Sequence, residues 1–194
     1  MRDNDLHATQ PTLATTRLRL RPFVAADAGR VAELAGAREI ADTTISIPHP
    51  YPIDIAERWI ASHRQAWEAD RAAHFAITLL PHGLLIGGIS LRDIDRAHYQ
   101  AELGVWVGKP WWGNGYATEA AGALLELAFG QLGLNRVHAH HLVRNPASGH
   151  VLESAGFQRE GRLRQRVLKW GRFEDVELLA ILRSDWVARQ STRP

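Results

Sequence analysis

Residues 108–120 read Gly-Lys-Pro-Trp-Trp-Gly-Asn-Gly-Tyr-Ala-Thr-Glu-Ala and lie between a strand-like run at 101–107 and a helical pattern reaching about residue 132. Gly113 and Gly115, one residue apart at a strand-to-helix turn, let main chain come close to a ligand. The helix that follows directs the unpaired N–H groups of its first turn back toward that ligand, where phosphate oxygens suit them. The chain therefore has to fold so that a strand turns into a helix around a main-chain cradle.

Familiar phosphate loops fit this stretch poorly. Gly108 and Gly113 have the spacing of a P-loop, but Asn114 and Gly115 stand where the lysine and the magnesium-holding hydroxyl belong. A dinucleotide fingerprint needs a third glycine where Thr118 stands, and it closes an early βαβ unit, whereas this loop lies past the middle of the chain. A plain tight turn into a packed helix remains open on the loop alone, and the neighbouring sequence decides against it.

The 194 residues suffice for one well-cored domain. Residues 1–13 are polar and read as a flexible terminus, with a single domain over 14–190. Lys and Arg total 23 against 21 Asp and Glu, an excess of +2 that gives no nucleic-acid signature. The absence of cysteine excludes disulfides, thiolate zinc sites and a cysteine nucleophile together. Met1 to Asp5 lacks the apolar core of a signal peptide, and no run approaches the ~18 apolar residues of a membrane span. A cytoplasmic protein without membrane or direct nucleic-acid partners is expected.

Along the chain, residues 16–23 alternate basic and apolar side chains as a half-buried strand does, with Arg17, Arg19 and Arg21 on one solvated face. A short helix follows over 27–34. Residues 36–53 look irregular, and Pro48, Pro50 and Pro52 hold their last part extended, as a substrate-lining loop or a plain connector. Asp54 is placed to cap a helix over 55–70. Strands at 74–80, 84–94 and 99–107 read as an antiparallel meander that delivers the chain into the glycine loop. In the helix after the loop, Ala117, Ala120, Ala121, Leu124, Leu125 and Ala128 form an apolar stripe, and Gly133 stops it. A strand over 135–143, a helix from Asn145-Pro146 to about Ser154 and a hairpin of 157–168 with 173–182 complete the chain.

Two blocks carry a resemblance. The run W-W-G-N-G-Y-A-T-E-A and the downstream N-P-A-S-G-H-V-L-E-S-A-G-F-Q-R-E-G, with the opening T-R-L-R-L-R-P-F, are similar to the GNAT superfamily of N-acetyltransferases, and within it to the Rim-type branch. The resemblance covers residues 16–182. It implies an α/β (α+β) fold with a mixed, mostly antiparallel seven-stranded sheet, flanking helices and a splay between strands 4 and 5, here 101–107 and 136–143. Acetyl-CoA would lie in that splay. By the same resemblance, the main chain of Val105, Trp106 and Val107 would pair with the pantetheine arm. The amides of Trp112, Gly113, Asn114, Gly115, Tyr116 and Ala117 would hold the pyrophosphate. Asn145 would bond the pantetheine, and Ser148 would sit near the thioester sulfur. Pro110 departs from the motif, which has Gln or Arg there, and leaves Lys109 as a nearby charge.

Acetyl transfer needs a neutral amine, and an N-terminal amine, with its pKa of about 8, needs less help from a base than lysine at about 10.4. Without cysteine, direct attack is favoured over a cysteine acyl-enzyme. Glu102 is the expected base, with His138, His140 and His141 as further candidates, and Ser148 is expected to protonate the leaving thiolate. His138 and His140 project from one strand face as two ligands would, but the sequence places no third ligand with them, so no metal is expected. Arg159, Arg162, Arg164, Arg166 and Lys169 read as a solvated strand face. The expected reaction is acetyl-CoA-dependent N-acetylation of an amine acceptor, a ribosomal or other protein N-terminus first. Small-molecule amines and a non-catalytic acyl-CoA-binding module are the alternatives. A homodimer is left open.

Overall fold

The computed structural model describes residues 9–191. Its backbone is one eight-stranded sheet in the order β1-β2-β3-β4-β5-β6-β8-β7. Strand β1 (Leu13–Ala14) pairs with β2 (Leu18–Pro22), in which Leu18 and Leu20 are buried while Arg19 between them is exposed. The meander β3 (Ala73–Leu79), β4 (Leu84–Asp95) and β5 (Gln100–Val107) follows, antiparallel throughout as expected. Strands β6 (Arg136–Leu142), β7 (Gln158–Lys169) and β8 (Arg172–Leu182) form the other wing, with β8 between β6 and β7. The two-residue β1 makes eight strands of the expected seven, so the expected splay falls between β5 and β6. Of the expected flexible terminus, residues 1–8 lie outside the described residues. Gln10 already donates to His74 O at 2.7 Å and Leu13 pairs with Leu20, so the tie to the sheet begins before residue 14.

Each face of the sheet has its own core. On one face lies α5 (Tyr116–Glu126), the helix after the glycine loop, whose Ala120, Ala121, Leu124 and Leu125 are buried as the stripe requires. Its apolar run continues through a π-helical turn at Leu127–Gln131 that buries Leu127, Ala128 and Phe129. Each buried leucine there contributes about 2 kcal/mol of burial free energy. The second cluster joins Phe23, Ala76 and Leu85 to α1 (Ala28–Ala35) and α3 (Ile53–Ala61), which contribute Val31, Leu34, Ala56 and Ile60.

Four local expectations need correction. The irregular 36–53 segment contains a short helix, α2 (Arg38–Thr43). The helix expected over 55–70 is two, α3 and α4 (His63–Glu68), broken at Ser62, whose hydroxyl donates to Trp59 O at 2.7 Å. Hydroxyls that bond local carbonyls compete with the helical ladder in this way. Asp54 is no cap. Pro52 holds that position, and Asp54 pairs with Arg58 one turn on at 2.7 Å. Nor are the first arginines simply solvated, because Arg21 grips Asp27 with two hydrogen bonds of 2.7 and 2.8 Å. The last helices, α6 (Pro146–Ala155) and α7 (Arg183–Ser191), flank β7 and β8 in sequence. No helix among the described residues is long and apolar enough to cross a membrane.

Candidate active site

Strands β5 and β6 run parallel and pair only at Gln100↔Arg136, Ala101↔Val137 and Glu102↔His138. Beyond that point each keeps its outer neighbour, β4 for β5 and β8 for β6, while the two part from one another. A cavity of about 380 Å³ opens in the gap, with Glu102, Trp106, His140 and Ser148 among its walls. Gly108 N donates to Ile86 O at 2.8 Å, and the antiparallel alternation therefore turns the main chain of Trp106, Gly104 and Glu102 toward β4. Val105 and Val107 turn theirs to the open edge. Trp106 was expected to pair there too, and the pleat assigns its main chain to β4 and its side chain to the cavity wall. Val107 O accepts the Trp112 indole N–H at 2.5 Å, so Val105 has the freer edge of the two.

Glu102 stands where the strands separate. Its register partner on β4 is Arg92, whose Nη2 donates to Glu102 Oε1 at 2.5 Å. Gly104 makes this possible, since a Cβ there would come within 3.3 Å of Arg92 Nε. Across the gap, His140 Nδ1 lies 3.6 Å from the same carboxylate oxygen. Burial alone would raise the Glu102 pKa, but the neighbouring His140 ring, the Arg92 guanidinium and His138 outweigh it and hold the carboxyl below its ordinary value. A carboxylate stabilised in this way is a weak proton acceptor. His138 and His140 meet edge to face with centroids 5.6 Å apart. The sequence placed no third ligand beside them, yet Glu102 completes a cluster whose ligand atoms lie within 4.8 Å of one another. The β5–β6 register that brings it there is tertiary, and the implied splay between these strands was the one available signal.

His141 also lines the cavity. It is buried, with Nδ1 2.9 Å from Leu142 O, and it packs under Gly149 of α6, where a Cβ would stand 2.8 Å from its Nε2. The helix begins at Asn145-Pro146 as expected, and Asn145 caps α6 by accepting from Ser148 N at 3.3 Å while its Nδ2 donates to Thr43 O at 3.1 Å. Ser148 lines the cavity, and no hydrogen bond from its hydroxyl to a protein group is found among the described residues.

The glycine loop begins with a turn of 3-10 helix at Lys109–Trp111. Gly113 and Gly115 have φ of 75° and 76°, the left-handed region that the cradle needs. A Cβ on Gly113 would meet nothing within 4 Å, so the ground above it is open. Gly115 caps α5 without a side-chain bond, and Glu119 N is the first to close the helical ladder, on Gly115 O at 3.0 Å. The amides of Tyr116, Ala117 and Thr118 are consequently unpaired within the helix. Asn114 Nδ2 ties the loop together through Trp111 O and Trp112 O. Arg17 reaches it from the start of β2, donating to Asn114 O at 3.0 Å and to Glu119 at 2.6 Å. Lys109, expected as a charge for phosphate, is paired with Glu39 at 2.6 Å instead.

Residues 43–48 and Tyr51 form a further part of the cavity wall, so the proline-rich segment is a lining and more than a connector. It is held by Lys169, buried and far from a solvated face, whose Nζ donates to Ile47 O at 3.1 Å. Arg144 adds a second hold by bridging Asp42 and Glu174. Behind the cavity, His74 stacks on His63 at 4.1 Å and 14°.

A family model described as an acetyltransferase (GNAT) domain matches residues 17–158. The chain is 37% identical over 136 residues to the probable N-acetyltransferase YjcK of Bacillus subtilis, covering 70% of this chain and 75% of that one. It is 29% identical over 103 residues to the ribosomal protein uS5 alanine N-acetyltransferase of Escherichia coli, covering 53% of each chain. The solved spermidine N-acetyltransferase of Vibrio cholerae, in complex with CoA and spermine, aligns with a TM-score of 0.78 at 26% identity, over 89% of this chain and 99% of that one.

Proposed function

This chain belongs to the GNAT acetyltransferase family and is an N-acetyltransferase, and from that premise we propose that it acetylates the α-amino group of a protein N-terminus, with acetyl-CoA as donor. Fit to the donor rests on three observations. The main chain of Val105 lies open on the splayed edge, the amides opening α5 are unpaired, and the ground above Gly113 is clear. Bound acetyl-CoA supplies an activated thioester carbonyl. Trp112, Gly113, Asn114, Gly115, Tyr116 and Ala117 would face its phosphates, Val105 and Val107 its pantetheine arm. Asn145, already bonded to Thr43 O, would hold the start of α6 beside it.

The reading is carried by His140 Nδ1, 3.6 Å from Glu102 Oε1 in a cavity that Ser148 also lines. Arg92 keeps Glu102 ionised, Glu102 orients the imidazole, and His140 takes the proton from the attacking amine. Ser148 Oγ–H gives a proton to the sulfur as the carbon–sulfur bond breaks. The amide C–N bond forms as that bond is lost, and solvent restores the proton to Ser148 while removing the one on His140.

The acceptor follows from the charge of the walls. A polyamine carries several positive charges and calls for several carboxylates, and it is the acceptor that the Vibrio cholerae relative's name suggests. Here Glu102 is the one carboxylate among the described lining residues, and Arg92 neutralises it. The single amine of a peptide N-terminus suits such walls better. The test follows CoA release with ribosomal N-terminal peptides, spermidine and aminoglycosides as acceptors. Peptides are expected to turn over best. A kcat/KM for spermidine above that of every peptide would overturn the acceptor, and tight CoA binding without turnover on any amine would overturn catalysis itself.

A further inference from the structure

Glu102, His138 and His140 meet at the closed end of the splay. Glu102 and His138 are register partners on the parallel β5–β6 pair, and His140 follows two residues later on the same strand face. Transfer as described uses Glu102 and His140 but has no task for His138. Its Nδ1 is nevertheless buried without a hydrogen-bond partner among the described residues, which a folded protein rarely leaves so. One ligand atom from each of the three lies within 4.8 Å of the others. Ligands on a tetrahedral zinc ion stand roughly 3.4 Å apart, a difference that rotation of the three side chains spans.

We propose that Glu102, His138 and His140 form a binding site for a divalent transition-metal ion of the zinc class, open toward the cavity, and that its occupancy switches acetyl transfer off. Two imidazoles and one carboxylate suit Zn2+, Co2+ and Ni2+ and are a poor set for Mg2+ or Ca2+, which take oxygen ligands. Arg92 bonds Glu102 Oε1 and so holds the carboxylate in place, as outer partners of metal ligands do. The same guanidinium charge opposes a cation, so the affinity belongs in the micromolar range and not with structural zinc. The ion removes the imidazole that accepts the amine proton. Inhibition thus rests on the reading of His140 as base, whereas binding does not.

The test begins with full-length protein stripped by a chelator. Zn2+ is titrated against a chromogenic chelator, and Co2+ is followed by its visible d–d absorption. The wild type is expected to bind one Zn2+ and to show a tetrahedral-type Co2+ spectrum. His138→Ala should weaken Zn2+ at least tenfold and abolish that spectrum. His138→Asn, checked by circular dichroism, serves if the alanine variant misfolds. Added Zn2+ should slow the wild type and spare the variant, and chelator should restore the rate. Equal Zn2+ affinity in wild type and both His138 variants would overturn the site. Binding through His138 with an unchanged transfer rate would overturn the switch. A normal rate for His140→Ala in chelator would overturn the base assignment separately.

Discussion

Glu102 shows how a side chain's neighbours decide what it can do. Read from the sequence it is a carboxylate on the right strand, and so a natural base. Arg92 and His140 hold it as an anion that orients its neighbour, because the guanidinium charge and the adjacent imidazole favour the ionised form more than partial burial opposes it. Glu102→Gln keeps the shape and loses the charge, so kcat is expected to fall about tenfold to a hundredfold while the Kd for CoA stays within about twofold, since general-base assistance is worth roughly 10²–10⁴ in rate. Ser148→Ala should likewise lower kcat more than CoA affinity. Single-turnover kinetics beside CoA titration checks both, and an unchanged rate removes the residue from the mechanism.

At the scale of the element, the strand-to-helix turn and the Asn145-Pro146 start of α6 are local devices, and both were legible. Gly113 requires its positive φ and has nothing above it, so an added methyl group costs strain and intrudes on the proposed phosphate site. Gly113→Ala is expected to lose about 1–2 kcal/mol of stability and to weaken CoA at least tenfold. Gly122, in the middle of α5 with open space around it, should respond oppositely, Ala there adding about 0.5–1 kcal/mol. Asn145→Ala removes a cap worth about 1 kcal/mol and frees Thr43 O, so the lining segment should exchange amide hydrogens faster. Denaturant titrations and hydrogen exchange measure these effects. The break at Ser62 was illegible because the apolar spacing runs through α3 and α4 without interruption.

For the whole molecule, the stacked imidazoles of His63 and His74 tie stability to pH. Burial first, and then the neighbouring His74 charge, lowers His63 to about 3. Burial and Arg92 lower His74 to about 4. Both are neutral in the fold, while the unfolded chain takes up protons near pH 6.5. Their stabilisation is therefore complete above about 6.5 and is lost as pH falls toward 4 and 3, by on the order of 1 kcal/mol per unit for each ring. Melting temperatures between pH 7 and 5, where most carboxylates are still ionised, are expected to fall, and His63→Phe should flatten that slope. A slope unaltered by the substitution would remove the pair as its source.

The sequence by itself determined the elements whose signals are local. These are the alternation of β2, the apolar stripe of α5, the two left-handed glycines and the Asn145-Pro146 start of α6. It also carried enough motif to name the family. Only the tertiary structure decided which residues share a cavity. The parallel register sets Glu102 against His138, the pleat turns Trp106 away from the open edge, and Glu39 pairs with Lys109 from α2. The physical reason is range. Propensity and periodicity act over a few residues, whereas the charge, burial and partners of a side chain are set by strands that meet from distant parts of the chain.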